Sequence, residues 1–346
     1  MPCTIFGSKL NAYLCYMTAM QAFVETMNRW GSEGKPFLFV VDFDLKQPFI
    51  QPLDALNGQE VLFWMKGFGN APESWPVPKE KLLFEISPPD FNAYKAAFDR
   101  VIWHLRRGDS YLLNLTMAVP VQTNLSLQAI FYLSQSPYKL CFNNNFVVFS
   151  PEPFVKIENG IISTHPMKGT LDASLPHAET LLMNDPKELA EHYTIVDLLR
   201  NDLNSVSEKV RVDQFRYLDT LETTKGKLMQ TSSHISGQLP KDYLNHLGNI
   251  LQQLLPAGSV TGAPKKKTVE LIRAIENYER GFYTGVFGVF DGQKLESAVM
   301  IRFLERTIDG FVFKAGGGIT IHSSAEKEYE ELLRKVYLPF ENIHPQ

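Results

Sequence analysis

The clearest periodic stretch is SPPDFNAYKAAFDRVIWHLRRGD (87–109). Turn residues open it, apolar positions recur every three or four residues, and Gly108 closes it, which predicts a helix. SYLLNLTMAVPV (110–121) follows with the composition of a strand. Upstream, PFLFVVDF (36–43) and VLFWM (61–65) are apolar runs of strand length. They lie in a loosely defined lead-in of about 80 residues that also holds a proline-rich loop, NAPESWPVPKE. Downstream, helices are expected at 186–201, 241–254, 264–279 and 324–337, and strands at 210–218, 283–290, 296–304 and 310–314. Strands arrive in groups between helices and not as regular βαβ units, so the pattern predicts a mixed α+β fold over a Rossmann sheet.

Composition narrows the class. With 346 residues, 44% of them apolar, the chain can bury one large core or two closely packed ones. The expected division is a short N-terminal lead-in over 1–80, packed on a main domain over 81–346. A net charge of −4 and a pI near 6.1 argue against nucleic acid or an anionic membrane as partner. The basic run Lys265-Lys266-Lys267 is read as a solvated face. No run of 18 apolar residues offers a membrane span. Cys3, Cys15 and Cys141 lack paired or metal-type spacing, and MPCTIFGSKLNAYLCYM has no signal-peptide pattern, so a cytoplasmic protein is expected. The eight histidines show no HxxxH or HExxH spacing, which disfavours zinc.

Three stretches carry candidate chemistry. Asn159-Gly160 between PFVKIE and IISTH is a two-residue hairpin signal. With Glu158 facing Ile161, paired positions sum to 319, so Glu152 and Lys168, summing to 320, lie almost opposite just beyond the strands. Such a pair is either a plain surface ion pair or a nucleophilic lysine beside a proton donor. In NDPKELAEHYTIVDLLRNDL, Asp185 is a natural N-cap. Glu191 falls on the apolar face between Ile195 and Leu198, where it needs a salt-bridge partner or a cation. In SSAEKEYEELLRKVY a capping-box-like Ser323…Glu326 opens a helix whose Glu328, Glu331 and Lys335 share one face. The three glutamates together would suit Mg²⁺. PAGSVTGAPKKKT (256–268) fails the P-loop template but places a loop at a helix N-terminus. The glycines of KAGGGIT (Gly316, Gly317, Gly318) could let backbone N–H groups reach a carboxylate.

Seven blocks in order, SPEPF, HPMKGT, AEHYTIVDLLRNDL, PAGSVTGAPKKKTVELI, GFYTGVFGVF, MIRFL and AGGGITIHSSAEKEYEELLRK, resemble the chorismate-utilising enzymes over about residues 88–340. That family includes anthranilate, aminodeoxychorismate, isochorismate and salicylate synthases. The resemblance implies two facing, mostly antiparallel β-sheets with helices packed outside, the anthranilate synthase component I fold, and a Mg²⁺-dependent enzyme. It implies Glu191, Glu328 and Glu331 as metal glutamates. Gly316–Gly318 and Lys335 would hold the ring carboxylate of chorismate, and Arg302 and Tyr283 its enolpyruvyl carboxylate. Thr170 and Gln230 would belong to the substrate-binding set, and Glu152 would be the general acid.

Lys168 selects the branch within that resemblance. Anthranilate synthases carry alanine there. Aminodeoxychorismate synthases carry a lysine that attacks C2 of chorismate before ammonia adds at C4. Gln230 also fits, since anthranilate synthases tend to have histidine at that position. Leu112 stands where relatives have glutamine or, in isochorismate and salicylate synthases, lysine, and leucine cannot activate water. The short lead-in lacks the LLES element of tryptophan-regulated relatives, and the sequence has no GxCxG nucleophile elbow. The implied partners are therefore a separate glutamine amidotransferase subunit supplying ammonia and an aminodeoxychorismate lyase taking the product toward p-aminobenzoate and folate. The alternatives are anthranilate synthase component I, isochorismate or salicylate synthase, and a catalytically silent regulatory subunit.

Overall fold

The computed structural model describes residues 9–71, 81–223 and 226–340. Cys3 and most of the proline-rich loop lie outside them, as do the side chains of Cys15 and Thr170. The chain opens with helix α1 (Lys9–Ser32). Strands β1 (Phe37–Val41), β2 (Phe49–Pro52), β3 (Val61–Met65), β4 (Phe68–Gly69) and β5 (Phe84–Ile86) follow. Helix α2 (Phe91–Arg106), strand β6 (Leu112–Thr123) and helix α3 (Leu127–Leu133) come next. Then come β7 (Tyr138–Phe142), β8 (Phe146–Ser150), β9 (Pro153–Glu158), β10 (Ile161–Thr164) and β11 (Met167–Asp172). Helices α4 (Ala178–Asn184) and α5 (Pro186–Asn204) precede the long strands β12 (Glu208–Thr223) and β13 (Gly226–Gln238). Helix α6 (Leu247–Leu254), strand β14 (Gly262–Ala263) and helix α7 (Lys265–Ile275) lead to β15 (Val286–Phe290) and β16 (Leu295–Val299). Strands β17 (Phe303–Thr307) and β18 (Gly310–Ile319) and helix α8 (Ala325–Arg334) close the described chain.

Among the described residues the strands form two nine-stranded sheets. One runs β11-β13-β10-β9-β16-β15-β1-β2, with β12 on β13. The other runs β14-β6-β18-β17-β8-β7-β3-β4, with β5 on β6. The paired strands are antiparallel. The expected fold of two facing antiparallel sheets with outer helices is what the chain adopts, and strands from the lead-in take part in both sheets.

The apolar runs explain the layering, because side chains alternate faces along a strand. In β1, Phe37, Phe39 and Val41 join a cluster with α1, α5 and α6, whereas Leu38 and Val40 point into the space between the sheets. In β8, Val147 and Phe149 meet the helices of the second sheet, and Phe146 and Val148 point inward. Both faces of these central strands are buried, so their sequences read as unbroken apolar runs. The inner layer is rich in rings: Phe146 stacks on Phe303 at 4.8 Å and on Phe142 at 5.4 Å between centroids. Each such ring contributes roughly 1.5–3 kcal/mol by leaving water.

Several expectations need correction. The lead-in contains the 24-residue α1, whose Met20, Phe23, Val24 and Met27 are buried at helical spacing. The helix from 324 ends at Arg334. Its N-cap is Ser324, not Ser323, because the Ser323 hydroxyl donates instead to Glu328 Oε1 at 2.8 Å. Lys265 is not on a solvated face: it ion-pairs with Asp202 at 2.7 Å and donates to Leu254 O at 2.9 Å. The strand expected at 310–314 runs on through the glycines to Ile319. The β9–β10 register does match, with Glu158 opposite Ile161. Lys168, however, is not an extension of that hairpin, because β11 leaves β9 and pairs with β13.

Candidate active site

Most of the residues singled out above converge where strand ends from the two sheets meet, Glu191 excepted. Glu152 precedes β9, Tyr283 precedes β15, Arg302 precedes β17, Lys168 lies in β11 and the three glycines end β18. A Cβ placed on Gly318 would lie 3.8 Å from the Lys168 amine and 3.0 Å from Leu112 Cδ1. A Cβ placed on Gly317 would lie 3.4 Å from Lys335 Nζ, 3.5 Å from Glu328 Oε2 and 3.9 Å from Glu331 Oε1. The glycine strand thus leaves open the room that side chains would fill, with the Lys168 amine beside one residue and the α8 carboxylates beside the next.

Lys168 is fixed through its backbone. It pairs with Thr231 of β13, whose hydroxyl donates to Lys168 O, and Ser233 N–H donates to Pro166 O at 3.0 Å. The ladder slips by a residue between Lys168 and Thr170. Gly169 takes φ +71 there, and any Cβ would meet Leu182 Cδ1 at 2.9 Å and Glu188 Oε2 at 3.0 Å. A bulge of this kind re-aims the side chain next to it. Gln230 sits opposite Thr170, and its amide donates to Met167 Sδ at 3.0 Å, which ties it to the lysine's strand.

Electrostatics link the remaining groups. Burial raises the Glu152 carboxyl above the usual range; a hydrogen bond from Ser259 and the cations Lys168, Arg302 and Lys335 pull against that rise. Lys335 is lowered by burial, opposed by its 2.7 Å pair with Glu331, with Arg302 and Lys168 adding repulsion. Its ammonium also donates to Gly316 O at 2.9 Å. The Tyr283 hydroxyl is pushed up by burial and senses both Arg302 and Glu152. Arg302 has φ +53, an uncommon conformation for a residue with a side chain, and its buried Nε has no hydrogen-bond partner among the described residues. Three cations and one acid of raised pKa around an open glycine strand have the chemistry to take up carboxylates.

The metal set is only partly assembled. Glu328 and Glu331 meet at Gly317, and both act on the Tyr94 hydroxyl. Glu191 lies half-buried on α5, next to His192, whose Nε2 bonds Ser233 Oγ at 2.7 Å. Among the described residues no group of three or more His, Cys, Asp or Glu side chains is placed to hold a metal, so Glu191 is not joined to the α8 pair in such a cluster. Two carboxylates still fit Mg²⁺, which takes one or two of them plus ligand oxygens and water.

One contributor escapes the sequence reading, and Leu112, which the sequence did single out, gains a place. Ser259, in the turn Gly258–Val260, bonds Glu152. Leu112 is 3% exposed and forms an apolar wall close to the Lys168 amine. The Gly-Ser-Val turn was the available signal for Ser259, though a hydroxyl in a loop has many ordinary uses.

Residues 20–340 match the family described as chorismate binding enzyme. The chain belongs to that family. An uncharacterized PabA-like protein of Haemophilus influenzae is 49% identical over 94% of this chain and 98% of its own length. Anthranilate synthase component 1 of Acetivibrio thermocellus is 32% identical over 85% of this chain and 62% of its own. Aminodeoxychorismate synthase component 1 of Bacillus subtilis is 28% identical over 71% and 54%. Among solved structures, anthranilate synthase component I of Streptococcus pneumoniae aligns with TM-score 0.61 at 26% identity, covering 77% of this chain and 61% of that one. The menaquinone-specific isochorismate synthase of Escherichia coli aligns with TM-score 0.68 at 17% identity, covering 92% and 81%, and speaks for the fold alone. This chorismate-binding chain therefore shares its architecture with enzymes of several activities. Among the described residues no helix is long and apolar enough to cross a membrane.

Proposed function

We propose that this chorismate-binding chain is the chorismate-aminating subunit of an aminodeoxychorismate synthase, working in the cytoplasm with a glutamine amidotransferase partner. The observation that carries this reading is the Lys168 amine beside Gly318, within a cleft that also holds an acid of raised pKa, Glu152.

In the proposed reaction the Lys168 amine, after giving up a proton, forms a bond to C2 of chorismate. The ring double bonds shift, the C4–O bond breaks, and Glu152 gives its proton to the departing hydroxyl, which leaves as water. Ammonia then bonds to C4, the double bonds shift back, and the C2–N bond to Lys168 breaks, giving 4-amino-4-deoxychorismate and the free lysine. Arg302, Tyr283, Lys335 and the β18 glycines orient the two carboxylates. Glu328 and Glu331 would hold Mg²⁺, with Glu191 as the third candidate, and the bound ion would neutralise the ring carboxylate. Leu112 offers no base for water, which favours ammonia as the second nucleophile. An aminodeoxychorismate lyase would consume the product on the way to p-aminobenzoate and folate.

A second reading, anthranilate synthase component I, is favoured by the name of the 32%-identical Acetivibrio relative and opposed by Lys168. The deciding experiment incubates the purified chain with chorismate, Mg²⁺ and an ammonium salt and identifies products by mass spectrometry. Aminodeoxychorismate supports the proposal. Anthranilate or isochorismate replaces it, and no product even with a glutaminase subunit present favours a silent regulatory role.

A further inference from the structure

Arg280 has no place in the chemistry proposed above, yet its buried guanidinium makes five hydrogen bonds beside the cleft. It is 2% exposed and forms a fork with Glu276, with Nε to Oε2 at 2.8 Å and Nη2 to Oε1 at 2.7 Å. Its other N–H groups donate to Val260 O at 2.9 Å, Asn114 O at 2.7 Å and Thr284 Oγ1 at 3.3 Å. Glu276 Oε1 in turn accepts from the N–H and the hydroxyl of Thr116, both at 2.9 Å.

Each of these bonds ends next to a cleft residue. Asn114 and Thr116 of β6 pair with Gly318 and Gly316 of β18. Val260 follows Ser259, the hydrogen-bond partner of Glu152. Thr284 follows Tyr283 and bonds its carbonyl at 2.6 Å. One planar guanidinium and one carboxylate therefore join the glycine strand, the turn that holds the acid's partner, and the tyrosine wall. Fully desolvating a charged pair costs more than it returns unless its geometry and remaining bonds are satisfied. Stability alone would be served as well by apolar side chains at this position, whereas only a fork can hold three backbone segments in register.

We propose that Arg280, held by Glu276, is a positioning residue that sets the spacing between the β18 glycines, Ser259 and Tyr283, and so sets the affinity of the cleft for chorismate. The inference rests on that cleft being the chorismate site. A cavity of about 710 Å³, lined in part by Met20, Phe43, Leu45, Glu276, Tyr278 and Arg280, reaches the pair from the side of α1 and α6. Truncating Arg280 to alanine would extend that cavity into the space the guanidinium fills, which gives a small cation a place to bind.

The test compares wild type, Arg280→Lys and Arg280→Ala, with the folded fraction of each measured by circular dichroism. Chorismate binding is followed by calorimetry and turnover by loss of chorismate. Lysine keeps the charge but not the fork. Per folded molecule, its Kd and KM for chorismate should rise roughly ten- to a hundredfold, the usual cost of a small misplacement. For Arg280→Ala, added guanidinium ion should restore affinity, whereas ethylammonium, a cation without the fork, should not. Wild-type affinity per folded Arg280→Lys molecule would overturn the inference, as would equal rescue by the two cations. If wild type itself binds no chorismate, the functional reading fails first, and the two failures are thereby told apart.

Discussion

At the scale of single residues, the site depends on where two titratable groups are put. Lys168 is placed by its backbone bonds to β13, so replacing its side chain should leave the cleft standing. Lys168→Ala is expected to lower aminodeoxychorismate formation at least about a thousandfold while chorismate binding by calorimetry persists. Full activity in the variant would remove the covalent step. Glu152 makes a separate prediction through linkage. Its folded-state pKa is raised by burial above the unfolded value of 4.5, so the folded chain holds that proton more tightly. Stability from this group is therefore present below pH 4.5 and falls as pH rises through the raised value. Glu152→Gln should be stabilising at about pH 8 and nearly neutral at about pH 4 in urea melts; the same effect at both would show a carboxyl that is not held protonated.

At the scale of elements, close backbone approaches decide what a strand or helix can carry. A methyl on Gly318 would meet Leu112 Cδ1 at 3.0 Å and the Lys168 amine at 3.8 Å. Gly318→Ala should fold, because leucine can shift by a few tenths of an ångström, but raise the KM for chorismate roughly tenfold by intruding on the carboxylate site. An unchanged KM would place the substrate elsewhere. Helices α1 and α6 touch backbone to backbone, with a Cβ on Gly248 lying 2.5 Å from Val24 O. No rotamer change relieves that overlap, so Gly248→Ala should cost about 1–3 kcal/mol of stability, measured from denaturant midpoints. How much of this level was legible varied with the local signal. The Asn159-Gly160 hairpin and its register followed from turn chemistry, and VLFWM matched β3 residue for residue. Helix α1 was passed over although its apolar positions have helical spacing. The route of β11 was illegible, because pairing with β13 is a long-range choice that no local turn encodes.

At the scale of the whole molecule, the two sheets and their outer helices put histidines where protonation is costly. His165 is held down to about 4 by burial and then by His234, whose ring stacks on it at 4.5 Å, and His192 is held down to about 4 by burial and then by Arg216. Both folded pKa values lie below the unfolded value of 6.5, so the stability they provide is complete above pH 6.5 and is lost as pH falls toward 4. His165→Gln should flatten the acid-side loss, by on the order of 2 kcal/mol for a partly exposed group. Thermal melts across that range check it, and an unchanged slope would mean that His165 protonates freely in the folded chain.

The sequence by itself determined the α+β class, the unbroken apolar runs that become the inner and outer layers, and the ordered motifs that mark a chorismate-binding chain. It could do so because periodicity and turn chemistry are local, and because the motif residues are contiguous. Only the tertiary structure decided that Lys168 lies beside Gly318 and Leu112, that the Glu328–Glu331 pair faces Gly317, and that Arg280 ties three walls of the cleft together. Several of those relations join residues far apart in the chain, Arg280 and Asn114 by 166 positions. They depend on which strand pairs with which and on which buried charges find partners, and no window of sequence contains either choice.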